Sequence, residues 1–163
     1  MAQSIRSFEA LPRVLSEWKH VIQKGNRAFA AHDMAQALVA YQAALQLASA
    51  MVGSHPDWGR GISVAQADDA IVALVVSRHN LADFYINSEL SERAAEHLCQ
   101  AHEAVYGLLS HPDADVTQLA LQHLHVTGME LMAFIKRFGG SQRTNQTLQS
   151  AQLANSPLAV RMH

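Results

Sequence analysis

The chain has 163 residues, of which 49 % are hydrophobic, with one cysteine, ten histidines and a formal net charge of -2. That length suits one domain with a sizeable core; no run nears the ~18 uninterrupted apolar residues of a membrane span, and a lone cysteine excludes an intrachain disulfide. Only three lysines and no basic stripe argue against nucleic acid as a partner. The opening residues, with Arg6, Glu9, Pro12, Arg13 and Glu17, do not read as a secretory signal. The expectation is a protein of a reducing, bacterial-type cytoplasm, away from membranes.

Residues 1–11 read as an N-terminal lead, followed by a helix over residues 12–31 and a turn at His32-Asp33. Asp33 with Gln36 resembles a capping box for a second helix, which runs to Val52 and stops at Gly53. A glycine-rich loop to Gly61 carries Trp58, an aromatic either tucked under the loop or offered to a partner. A third helix spans residues 64–87. Its segment 70–76 (Ala-Ile-Val-Ala-Leu-Val-Val) is continuous and β-branched enough for a buried strand. No turn residue bounds it, so a helix buried on most sides is expected there. Ser88 or Ser91 caps a fourth helix to Leu109. Ser110-His111-Pro112-Asp113 repeats Ser54-His55-Pro56-Asp57, and each copy reads as a helix start with serine as N-cap and proline in the first turn. A fifth helix then covers residues 114–138 and ends at Gly139-Gly140. The tail, residues 139–163, is polar and has no acidic residue. It reads as disordered, or as a short helix over residues 144–153 if the body offers a groove.

Gly25, Phe29, Ala37, Tyr41, Ala44 and Leu45 place small and aromatic side chains at fixed offsets on two successive helices. Leu81, Ala82, Tyr85, Ala94, Leu98 and Ala101 form a looser second copy. This pattern resembles the tetratricopeptide repeat (TPR). The resemblance implies an all-α fold of TPR-like antiparallel helical hairpins, about five long helices stacked as a short right-handed array over residues 12–138. It also implies a non-catalytic adaptor or scaffold that presents a polar groove to a protein or peptide. Ala37 and Ala94 are 57 positions apart, against a usual period of ~34, so the repeats are stretched by about 23 residues.

In such domains the first helix of each repeat lines the groove. The register then points Lys19, Ile22, Asn26 and Phe29 inward from the first helix and His79, Asn80, Asp83 and Asn87 inward from the third. Lys19, Asn26, His79, Asn80, Asp83 and Asn87 are the expected partner-binding residues. Chaperone-binding members hold a terminal carboxylate with a clamp of asparagines and basic residues. Asn26 and Asn80 match the asparagines, but Ile22 stands where the clamp lysine belongs and helix five has no matching Lys/Arg pair. The resemblance therefore implies no clamp, and Asp83 favours a basic or neutral ligand.

Catalytic motifs are absent: Cys99 has no Cys-x-x-Cys partner, no Gly-x-Ser-x-Gly elbow exists, and Gly59-Arg60-Gly61 is too short for a phosphate loop. No cofactor is expected. The acidic pairs Asp68-Asp69 and Glu92 with Glu96 read as solvated surface. No two histidines stand three or four apart, the spacing that a helical metal site wants. Cys99, His102 and Glu103 share a face and are the best constellation for an alternative metal- or small-ligand-binding role. A further alternative is structural: Met129, Met132, Phe134 and Phe138 look like core plus an apolar end face, to be covered by the tail or by a homodimer contact.

Overall fold

The structure, a computed structural model, describes residues 2–53 and 61–154. It is all-α, with no strand among the described residues: α1 (Ala2–Ala30), α2 (Met34–Val52), α3 (Val64–Asn87), α4 (Ser91–Gly107), a 3-10 turn (Leu108–Ser110), α5 (Ala114–Phe138) and α6 (Gln142–Ala154). The second copy-defining tetrapeptide lies in view, whereas Ser54-His55-Pro56-Asp57 and Trp58 lie outside the described residues. α1 begins well before Pro12 and takes in the segment that the sequence sets apart as a lead. Proline removes one intrahelical amide bond there without ending the helix.

Local chemistry explains where the other helices start and stop. His32 turns the chain at φ 58, and Asp33 accepts from the Gln36 amide at 3.1 Å to open α2. Gly53, at φ 57, closes it, a backbone conformation that glycine adopts without cost. The reciprocal capping box is made at α3 instead, where the Ser63 hydroxyl accepts from the Gln66 amide and the Gln66 side chain accepts from the Ser63 amide. Neither Ser88 nor Ser91 caps α4: its N-cap is Leu90, with no side-chain bond, and the Ser88 hydroxyl turns back to the Phe84 carbonyl at the end of α3. The Ser110 expectation is also corrected. Pro112 holds His111 extended, at φ -67 and ψ 139, so a helix cannot begin at Ser110. Asp113 is the N-cap of α5 and accepts from the Asp115 amide at 2.8 Å.

Successive helices pack as neighbours, and α3 also touches α1 and α5. The α1–α2 approach is close at Gly25, where a Cβ would lie 2.7 Å from the Tyr41 ring. Ala37, Ala44, Ala94 and Ala101 are fully buried at these crossings, while Phe29 lies 6.2 Å from Tyr41 and 6.4 Å from Phe84, centroid to centroid. Residues 70–76 are helical, with Ala70, Ile71 and Ala73 fully buried. Trp18 belongs to the core, and its indole donates to the Ser77 hydroxyl at 2.8 Å. α2 is long and apolar enough to cross a membrane by length and composition; here its Ala37, Ala40, Tyr41, Ala44, Ala48 and Met51 are buried against the body.

The tail forms a helix over residues 142–154. Ser141 and Thr144 cap it reciprocally: the Ser141 amide donates to the Thr144 hydroxyl and the Thr144 amide to the Ser141 hydroxyl. α6 leans on α4 more than on α5 and buries Thr144, Thr147 and Ala151. It leaves Met129, Met132 and Phe138 of α5 at 52 %, 46 % and 42 % exposure, so the tail does not cover that face within the described residues.

Candidate functional site

A polar cluster lies between α1, α3 and α5. The Asn80 amide donates to Asn26 Oδ1 at 2.9 Å, and the Tyr41 hydroxyl donates to the same oxygen at 3.0 Å. These two bonds use both lone pairs of that oxygen. Asn26 Nδ2 and Asn80 Oδ1 make no hydrogen bond among the described residues, so donors and an acceptor are left open on facing helices. Asp83 and His79 stand one turn apart on α3, and both interact electrostatically with Glu130 of α5.

Loss of hydration raises the Asp83 carboxyl, against the pull of His79 and with a push from Glu130. Burial pushes His79 down, opposed by Glu130 and Asp83, and its Nε2 is buried with no hydrogen-bond partner. Burial and the nearby Asp83 raise the Tyr41 phenol. The cluster thus gathers two carboxylates, two amides and a ring held neutral, an environment suited to a neutral or cationic group and hostile to an anion.

Of the six residues expected to bind a partner, Asn26, His79, Asn80 and Asp83 fall together here. Lys19 and Asn87 are exposed and make no hydrogen bond or ion pair among the described residues, so nothing ties them to the cluster. Ile22 is corrected from groove to core, at 6 % exposure beside Trp18. Tyr41 and Glu130 are members that sequence reasoning missed. Tyr41 was legible as a packing residue, and its hydroxyl reaches the cluster from behind α1. Glu130 had no local signal.

A second polar system joins α4 to α6. Arg143 Nε and Nη2 donate to Glu96 at 2.9 and 3.1 Å, while Nη1 and Nη2 donate to Glu103, the latter at 2.9 Å. Thr147 donates to Glu103 at 2.9 Å. Gln100 donates to Glu96 and accepts from Arg78 of α3. Hydrogen bonds from Arg143 hold the Glu96 and Glu103 carboxyls below their ordinary range. Glu96 is therefore ion-paired rather than merely solvated, and Asp68 lies within hydrogen-bond distance of His123 Nε2 of α5, at 2.6 Å.

The constellation Cys99, His102 and Glu103 is divided among other tasks. Cys99 is fully buried. His102 Nδ1 lies 2.8 Å from the Thr127 hydroxyl, packed so closely to α5 that a Cβ on Gly128 would stand 3.3 Å from its ring. Glu103 is committed to Arg143 and Thr147. Among the described residues, no group of three ligating side chains is placed to hold a metal ion.

Residues 16–163 match the model of a family described as a protein of unknown function, DUF2753. No curated protein matches the chain, and no solved structure does. The match runs from the middle of α1 through α6, both polar systems included, and on that ground the chain belongs to the DUF2753 family.

Proposed function

We propose that this protein is a non-catalytic interaction module of TPR-like helical hairpins, whose α1–α3–α5 groove takes a peptide of basic or neutral character. The supporting observation is the Asn26–Asn80 pair. Its hydrogen bond leaves the Asn26 amide nitrogen and the Asn80 amide oxygen open, the two kinds of group needed to bond a peptide carbonyl and amide irrespective of side chain. Asp83 and Glu130 beside them favour a lysine or arginine on the ligand and repel an acidic C-terminus.

Peptide display against the folded chain, followed by calorimetric titration of an enriched sequence, tests this reading. Basic or neutral peptides should be enriched, and Asn26→Ala with Asn80→Ala should weaken their binding about tenfold or more while the helical signal persists. Enrichment of acidic peptides, or unchanged binding by the double variant, would overturn it.

A second reading is self-association, favoured by the exposed face of α5. Leu121, Val126, Met129 and Met132 of α5 are 41–52 % exposed, whereas the exposed large hydrophobics Val39, Val64 and Leu90 are dispersed over other segments. Sedimentation should show a homodimer that Met129→Glu with Met132→Glu converts to monomer. A wild-type chain that stays monomeric at high concentration removes this reading.

A further inference from the structure

α6 is attached to the body in a different way from the other helices. The α5 face that enters the core carries Leu119, Leu124, Leu131 and Phe134; the corresponding face of α6 carries Thr144, Thr147 and Ala151, and among its described side chains only Leu148 adds a partly buried large one. A helix of 13 residues is marginal alone in water, so α6 depends on its contacts with the body, and its ion pairs there are all made by one guanidinium. Arg143 grips Glu96 and Glu103 with two forks, and all three side chains are between about a third and a half exposed, at 36 %, 46 % and 45 %. The joint behind α6 is Gly139-Gly140, with Gly139 at φ 92, a backbone free to pivot.

The surface beneath is specific. Glu96, Cys99 and Glu103 stand at i, i+3 and i+7 on α4, hence on one face. Cys99 lies between the carboxylates on that face and is fully buried, with Arg143 and Thr147 of α6 close enough to influence its thiol. Arg143, Thr147 and Ala151 stand at i, i+4 and i+8, so the complementary pattern is an arginine followed by small side chains at one-turn intervals.

We propose that α6 is a detachable latch that opens independently of the five-helix body, and that the α4 surface it covers is a docking site for a helix with an arginine followed by small residues at i+4 and i+8. α6 is the resident occupant. A partner helix of that chemistry competes with it, so docking of the partner and release of the tail are one exchange. This site is separate from the α1–α3–α5 groove, and neither proposal depends on the other.

Cys99 is the sole cysteine, which makes thiol labelling of the full-length chain a direct readout of latch opening. When closing outpaces labelling, the rate follows the open population. Arg143→Ala should raise that rate roughly threefold to thirtyfold, the effect of losing two partly screened ion pairs. Raising salt to about 1 M should move the wild type the same way, because the screening length falls to ~3 Å. Leu11→Ala, which weakens the body on α1, a helix that packs on α2 and α3, should change labelling far less. A capped peptide of residues 141–154, in excess, should slow labelling of the Arg143→Ala chain, while the same peptide lacking the arginine should not. Labelling that ignores Arg143→Ala and salt, or that rises only in step with global unfolding, overturns the latch. A wild-type peptide that gives no protection overturns the docking site.

Discussion

Ile71→Ala is expected to destabilise the protein by about 2–5 kcal/mol, the range for deleting a fully enclosed aliphatic side chain and leaving part of its cavity unfilled. Ile71 has no exposed surface and lies in the cluster formed by Ala67, Val75, Val105, Leu119, Ala120, Leu124 and Ala151. Four helices thus converge on one side chain, and no single one can collapse inward to refill the space. A domain of this size has on the order of 5–15 kcal/mol in all, so the loss should appear as a large drop in urea midpoint with little change in slope. Val72→Ala, at a partly exposed neighbouring position, should cost much less. Equal costs at the two positions would mean that this segment does not present Ile71 to the centre of the fold.

The same segment shows what the sequence reveals and what it hides. Residues 70–76 are apolar on every side, so periodicity alone does not separate a buried helix from a strand. The missing turn residues on either flank carried the decision, and the helix bounds at 34–52, 64–87 and 114–138 were legible for related reasons. Glycines and capping side chains act within four residues of the boundary they set. Gly25 and Ala37 were legible as a close crossing because small residues opposite an aromatic have few other uses in a helix. The start of α5 was legible but its cap was not: the restriction that Pro112 imposes on His111 overrides a serine cap at Ser110, and Asp113 takes that place.

Long-range polar pairing had no such local trace. Arg143 meets Glu96 and Glu103 across 47 and 40 residues, and a lone arginine in a polar tail reads as surface. Asn26 and Asn80 were placed together through their repeat register, but the third participant, Glu130, comes from a helix with no matching copy. Ile22 was misassigned because a groove-facing and a core-facing position differ by a small rotation about α1, which register alone does not resolve. His97 gave no signal at all, since stacking on Tyr85 at 5.5 Å and contact with Arg78 at 3.2 Å depend on the packing of α3 against α4.

His97 leads to the second large effect, a loss of stability on the acid side of neutrality. Burial, with the adjacent Arg78 cation and against the pull of Glu96, lowers its ring from the ordinary 6.5 to about 4. Above pH 6.5 the ring is neutral in both folded and unfolded chains and titration leaves stability unchanged. Between pH 6.5 and about 4 the unfolded chain gains a proton that the folded chain refuses, so stability falls as pH falls. Below that window both forms are charged and the loss is complete. The shift corresponds to roughly 3 kcal/mol, reduced to about 1–2 kcal/mol by the ring's partial exposure. His79 and His102 are lowered by burial as well and act in the same direction. Glu96 and Glu103, held low by Arg143, add a further loss once pH falls below the ordinary carboxyl value of 4.5. Asp83, raised by burial, opposes them weakly. Urea midpoints taken at half-unit steps from pH 7.5 to 4 should therefore begin to descend below pH 6.5, before Glu96 and Glu103 add their loss. His97→Gln keeps an acceptor for Arg78 and cannot take up a proton, so its profile should be flatter than the wild type between pH 6.5 and 4.5. Two superimposable profiles would show that the ring is hydrated in the folded protein and that the α3–α4 contact is looser than its stacking on Tyr85 implies.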